Sequence, residues 1–203
     1  MPEKTWFNSS VSIRVVIAED EAIIRLDLKE TLEEEGYQVI GESGRGDQAL
    51  ELIRELRPDL AILDVKMPGM DGLEVARQID VEKICGVLIL TAFSQREMVE
   101  HARDAGALAY LVKPFQKSDL IPAIEVAIGR FRELQTLSGH VEALGEQIEA
   151  RKIIDRAKGQ LMDQFSMKEQ DAFAFIQRAA MQDRVKMRDI ADRILSGDLK
   201  PTL

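Results

Sequence analysis

The stretch Leu60-Ala61-Ile62-Leu63-Asp64-Val65-Lys66-Met67-Pro68-Gly69-Met70-Asp71-Gly72 decides the reading of this chain. Four apolar residues read as a buried strand, an aspartate closes it, and a proline and two glycines then turn the chain toward a helical pattern. The same grammar recurs on both sides. Val15 to Ala18 ends in Glu19-Asp20, Val87 to Leu90 ends in Thr91, and Tyr110 to Val112 ends in Lys113-Pro114. Helical periodicity over residues 21–35, 46–56, 73–80, 95–105 and from 117 onward completes a βα series of five strands and five helices. Gly36, Pro58, Gly69, Gly72, Gly106 and Pro114 punctuate it. Such a series folds as a parallel, doubly wound sheet, with residues at the carboxyl ends of its strands converging on one crevice.

Residue types at those ends specify a chemistry. Glu19, Asp20 and Asp64 supply hard oxygen ligands suited to Mg2+, and a divalent cation relieves their mutual repulsion. Asp64 is placed to attack phosphorus as a carboxylate nucleophile. Lys113 can neutralise phosphoryl oxygens, Thr91 can donate a hydrogen bond to one, and Pro114 fixes the turn that aims Lys113. Taken singly, each residue also reads as an ordinary solvated turn.

The motifs Ile17-Ala18-Glu19-Asp20-Glu21, Leu63 to Gly72, Leu90-Thr91-Ala92 and Tyr110-Leu111-Val112-Lys113-Pro114-Phe115 resemble, in order and spacing, the receiver domain of two-component response regulators. The resemblance implies a flavodoxin-like receiver with Asp64 as phosphoacceptor. It implies metal binding by Glu19, Asp20, Asp64 and the backbone carbonyl of Lys66, and a switch pair of Thr91 and Tyr110. The implied donor is a phosphohistidine on a sensor histidine kinase, so the domain would catalyse its own phosphorylation without being a turnover enzyme. Lys66 departs from the pattern by placing a cation two residues after the acceptor.

The whole chain bounds what else is open. A length of 203 residues with 45% hydrophobic content suffices for a core in one large domain or two small ones. No apolar run approaches the roughly 18 residues of a membrane span, and the start lacks a basic-then-apolar signal, so the expected location is the cytoplasm with no membrane partner. Cys85 is the only cysteine, which excludes a disulfide within the chain. His101 and His140 are isolated and read as surface helix positions. The net charge of −9 is unevenly spread. From Arg151 onward there are eleven Lys/Arg and eight Asp/Glu, a net of +3, against sixteen and twenty-eight before it, a net of −12. An acidic first part with a mildly basic tail suits a phosphorylation module joined to something that meets a polyanion.

Beyond the receiver pattern, Leu134, Leu137, Val141, Leu144 and Ile148 recur at spacings of three and four. Two readings stand: a coiled-coil seam that makes a homodimer on phosphorylation, or one amphipathic helix packed on its own chain. Gly139 and Gly145 oppose the helix by up to about 1 kcal/mol each relative to Ala. Past Arg151, apolar spacing predicts three short helices and no strand. Ser166 with Glu169 reads as a capping box for the second, and Phe165, Phe173 and Phe175 read as core. The expected division is a loose extension over 1–10, a receiver over 11–130, a helical linker over 131–150 and a small all-α domain over 151–203.

The fragments Ala157-Lys158-Gly159-Gln160-Leu161-Met162, Asp171 to Arg178 and Met187-Arg188-Asp189-Ile190-Ala191 resemble the ANTAR domain, a three-helix RNA-binding module of transcription antiterminators. The resemblance implies a partner RNA presenting hairpin loops. Candidate contacts are Arg151, Arg156, Lys158, Gly159, Arg178, Arg184 and Lys186; Gly159 reads either as a close backbone approach or as a helix–helix contact. Two other outputs stay open, a helix in a DNA major groove and a protein-docking tail.

Overall fold

The structure is a computed structural model and describes residues 12–92 and 96–201. The extension expected over residues 1–10 and the helix start expected at Gln95 lie outside the described residues. Two compact units divide at Gln135 and Thr136.

In the first unit, β1 (Arg14–Ala18), β2 (Gln38–Ser43), β3 (Leu60–Asp64), β4 (Gly86–Thr91) and β5 (Ala109–Val112) form one sheet in the order β2-β1-β3-β4-β5, and every pairing is parallel. The helices between them are α1 (Ala22–Glu34), α2 (Gly46–Leu56), α3 (Gly72–Glu82) and α4 (Arg96–Asp104), followed by α5 (Lys117–Phe165). Alternation along the central strands splits the core into two layers. Val16, Ala18, Ala61, Leu63, Val87 and Ile89 pack with Leu50 and Ile53 of α2, Val75 and Ile79 of α3 and Ala102 of α4. Val15, Ile17, Leu60, Ile62, Leu88 and Leu90 pack with Leu28 and Leu32 of α1 and Leu120, Ile124 and Ile128 of α5. The sheet order reverses direction between β1 and β3, and the crevice of such a sheet opens at that switch point.

Strand β2 is the one strand for which the sequence offers no clean apolar run. It is an edge strand, half-buried, with an irregular register between Val15 and Val16 of its partner and Gly41 in its middle.

The second unit is helical. Ala157 and Leu161 near the end of α5 pack with Ala172, Ile176 and Ala180 of α6 (Glu169–Asp183) and with Ile190, Ala191 and Ile194 of α7 (Met187–Leu195). Gln160 Nε2 donates to the Ile194 carbonyl at 3.0 Å, satisfying an acceptor in the last turn of α7. The first of the three expected short helices is therefore the end of α5, which runs without a break through Pro122, Gly139 and Gly145. The seam residues Leu134, Leu137, Val141, Leu144 and Ile148 are all exposed.

Two local expectations fail. Ser166 does not cap α6: it adopts a left-handed conformation at φ +51°, and the cap position falls on Lys168, with no side-chain cap bond. Phe165 and Phe175 do pack against the small core, but Phe173 is 43% exposed.

Candidate functional site

Each strand end delivers its residue to one place. Glu19 is fully buried just past β1, Asp64 is buried at the end of β3 and Thr91 is buried at the end of β4, whereas Asp20 is exposed. One carboxylate oxygen from each of Glu19, Asp20 and Asp64 lies within 4.8 Å of the others. Lys113, past the end of β5, reaches across with its Nζ at 2.6 Å from Glu19 Oε2 and 2.9 Å from Asp64 Oδ1. Its backbone N–H donates to the Thr91 carbonyl at 2.7 Å, and the Lys113-Pro114 peptide is cis. The five residues singled out at the strand tips thus meet.

The electrostatics of the cluster are unbalanced. Three carboxylates face one ammonium, leaving an excess of negative charge in a largely buried setting. Burial pushes the Glu19 carboxyl above its ordinary range, and the charge of Asp64 adds to that, while the hydrogen bond from Lys113 opposes both. For Lys113, burial works to lower the ammonium pKa, but its bonds to Glu19 and Asp64 prevail and raise it. A hard divalent cation would fit this donor set, since the three clustered ligand atoms are carboxylate oxygens and Asp20 is open to solvent. Lys66 is exposed on the rim of a groove of about 580 Å³ that Asp20, Met67 and Met98 also line.

The acceptor loop is held by close backbone packing. The Lys66 N–H donates to Asp64 Oδ2 at 3.1 Å, and the Gly72 N–H donates to the Val65 carbonyl at 2.9 Å. A Cβ at Gly72 would sit 2.0 Å from the Asp64 carbonyl oxygen, and one at Gly46 would sit 1.9 Å from the Met70 carbonyl oxygen. Only glycine permits these approaches. Asp71 caps α3 by accepting from the Glu74 N–H at 2.8 Å. Tyr110 lies beside Thr91; burial raises its phenol pKa, and a side-chain hydrogen bond with Thr91 works in the opposite direction.

One residue escaped the sequence reading. Arg25, in the first turn of α1, donates to the Glu19 carbonyl and lies 4.0 Å from Glu42. A cation so near a helix start runs against the dipole preference, and that misfit was the available signal.

In the second unit the candidate contacts separate. Arg151 and Lys186 are exposed, as are Arg156, Arg178 and Arg184. Lys158 is not a free cation: its Nζ lies 2.9 Å from Asp155 Oδ1 and 2.9 Å from Glu169 Oε1, and its side chain is only 16% exposed. A Cβ on Gly159 would meet nothing within 4 Å, so no described helix of the second unit packs on it. No helix among the described residues is long and apolar enough to cross a membrane.

Comparison with known proteins agrees with both halves. The response regulator receiver domain matches residues 15–125 and the ANTAR domain matches residues 142–195. The chain is 55% identical over 188 residues to the transcriptional regulatory protein PdtaR of Mycobacterium tuberculosis, covering 93% of this chain and 92% of that one. It is 35% identical over 113 residues to the sporulation initiation phosphotransferase F of Bacillus subtilis, covering 55% of this chain and 90% of that one. Among solved structures, the receiver domain of the response regulator NarL from M. tuberculosis superposes with a TM-score of 0.56 at 32% identity, covering 58% of this chain and 97% of that one. The parallel sheet, the acidic cluster at its switch point and the helical tail therefore belong to one known arrangement, and the chain is a member of the two-component response regulators in which a receiver domain precedes an ANTAR domain.

Proposed function

We propose that the chain is a cytoplasmic regulator whose phosphorylation on Asp64 controls RNA binding and transcription antitermination. The observation that carries the reading is the position of Lys113 Nζ between Glu19 and Asp64, beside an acidic triad, on a chain whose tail matches the ANTAR domain. The proposed limits are a receiver over 11–130, a helical linker over 131–150 and an RNA-binding module over 151–203.

The donor is a phosphohistidine on a sensor histidine kinase. An Asp64 carboxylate oxygen attacks phosphorus, a P–O bond forms, and the P–N bond breaks with its electron pair returning to the imidazole. Lys113 supplies positive charge to one phosphoryl oxygen and the Thr91 hydroxyl donates to another. Glu19, Asp20, Asp64 and the Lys66 carbonyl would hold Mg2+, which when bound neutralises charge on the phosphoryl oxygens. Thr91 turns toward the phosphoryl group and leaves its bond with Tyr110, whose ring takes the vacated space. Inverting a two-state equilibrium from 1:99 to 99:1 requires about 5.5 kcal/mol, and self-association along Leu134 to Ile148 supplies part of it beyond the phosphoryl contacts. Exposed cations at Arg151, Arg156, Arg178, Arg184 and Lys186 then meet the phosphates of a hairpin RNA, while Gly159 leaves a bare stretch of helix for close approach.

The test is direct. Asp64→Asn should abolish phosphoryl uptake from acetyl phosphate with the fold retained; uptake at one site in that variant defeats the assignment. RNA recovered with the phosphorylated protein should be enriched in hairpins, and equal competition by duplex DNA would favour the DNA-binding alternative.

A further inference from the structure

Phe173 is the residue whose surroundings differ most from expectation. On α6 it stands three residues before Ile176 and seven before Ala180, a spacing that places it on the buried face. Ile176 is fully buried, yet Phe173 keeps 43% of its surface exposed and takes no part in the small core. A single exposed apolar side chain needs no explanation. Phe173, however, lines a groove of about 360 Å³ with Ile154, Met187, Arg151, Asp155 and Lys158. An adjoining hollow shares Ile154 and Met187 and extends to Lys186 and Arg188.

The lining is sorted by chemistry. The ring of Phe173 and the side chains of Ile154 and Met187 make apolar walls. Arg151, Lys186 and Arg188 stand along the rim with Glu146 among them, in a segment whose net charge from Arg151 onward is +3, while Lys158 is tied to Asp155 and Glu169. Asp155 offers a carboxylate between them, paired with Lys158 at 2.9 Å and held below its usual pKa chiefly by that hydrogen bond. An ionised acceptor beside an aromatic face, with Arg151, Lys186 and Arg188 nearby, suits one ligand class. A flat, uncharged, amine-bearing ring attached to a polyanion would stack on Phe173, donate its exocyclic amine to Asp155 and leave its phosphates to the rim.

We propose that this groove holds one unstacked base of an RNA loop, with Phe173 as the stacking surface and Asp155 as the acceptor for an exocyclic amine. The inference rests on the RNA-binding function proposed above and adds the place and the manner in which a base is read.

The experiment uses the full chain phosphorylated with acetyl phosphate and a pool of RNA hairpins with randomised loops. The selected hairpin is then resynthesised with 2-aminopurine at each loop position. Phe173→Ala should weaken binding roughly 5- to 150-fold, the range for loss of one stacked base. Phe173→Leu, which keeps apolar bulk without a π face, should remain weak, and Phe173→Trp should restore affinity. One loop position should be quenched by the wild type and by Phe173→Trp but not by Phe173→Leu. The salt dependence should be the same in all three variants, whereas Arg151→Ala and Lys186→Ala should each flatten it. If the cation variants lose affinity while Phe173→Ala and Phe173→Leu bind and quench as the wild type does, the RNA function stands and the base site is wrong. If the wild type selects no hairpin, both fall. If Phe173→Ala binds RNA normally but sediments differently, the groove is a contact between copies and the proposal is overturned.

Discussion

Replacing Gly72 with alanine tests the packing that holds the acceptor. The added methyl would lie 2.0 Å from the Asp64 carbonyl oxygen, where ordinary contact begins beyond 3.4 Å, and the obstacle is backbone on both sides. No rotamer change relieves it, so β3 and the first turn of α3 must separate, stretching the 2.9 Å bond from the Gly72 N–H to the Val65 carbonyl. Overpacking costs about 1 to 3 kcal/mol and a weakened buried hydrogen bond adds about 1, against a gain of up to about 1 from better helix propensity. The net is a loss of about 2 kcal/mol. For a unit of this size it lowers Tm by about 6 to 10 °C. Phosphoryl uptake should slow as well, because the displaced carbonyl belongs to Asp64 itself. The control is Gly129→Ala in α5: a Cβ there meets nothing within 4 Å, so the same chemical change should stabilise by about 0.4 to 1 kcal/mol. Thermal and denaturant unfolding of the two variants measure both signs. A Gly72→Ala protein as stable as the wild type, or equal losses at the two positions, would refute the account of the acceptor loop.

Lys113→Ala should leave Glu19 and Asp64 as unpaired buried carboxylates and cost about 3 kcal/mol in denaturant unfolding without divalent ions; added Mg2+ should recover a larger share of stability in this variant than in the wild type. Cys85 is buried and its thiol is pushed up to about 12, chiefly by desolvation. Alkylation at pH 8 should therefore require unfolding, and prompt labelling of the native protein would contradict the burial. Leu137→Lys with Leu144→Lys should change stability by no more than about 0.5 kcal/mol per site, since these residues are 54% and 58% exposed. Sedimentation should show the pair abolishing any phosphate-dependent association, and a dimer that survives it must use another face.

The fold was legible wherever the sequence marked both ends of an element. β3 and β4 are buried on both faces, so each reads as an unbroken apolar run closed by a polar residue. Those closing residues, Asp64 and Thr91, are also the functional ones, which is why the site emerged together with the sheet. Edge strand β2 gave no such run because half of it faces away from the core. Arg25 was hard to read because its partner is a backbone carbonyl, to which sequence assigns no identity, and the signal left was a cation near a helix start. Phe173 misled because helical spacing gives a face but not where that face ends, and the small core closes before reaching its ring. The continuity of α5 through Gly139 and Gly145 shows the limit of propensity: two costs of about 1 kcal/mol cannot stop a helix of 49 residues.

Lys158 invites a different kind of caution. It sits in the motif by which the tail is classified, yet its ammonium ties α5 to Glu169 in the first turn of α6, an end that has no side-chain cap of its own. The lysine therefore fastens a corner of the module. Removing it should loosen that corner first, and any loss of ligand that follows would report the shape of the module before it reported a missing phosphate contact. In this module a basic residue's place in a motif and its role toward a polyanion are separate facts, and only the cations left unclaimed by neighbouring carboxylates make clean probes of the second.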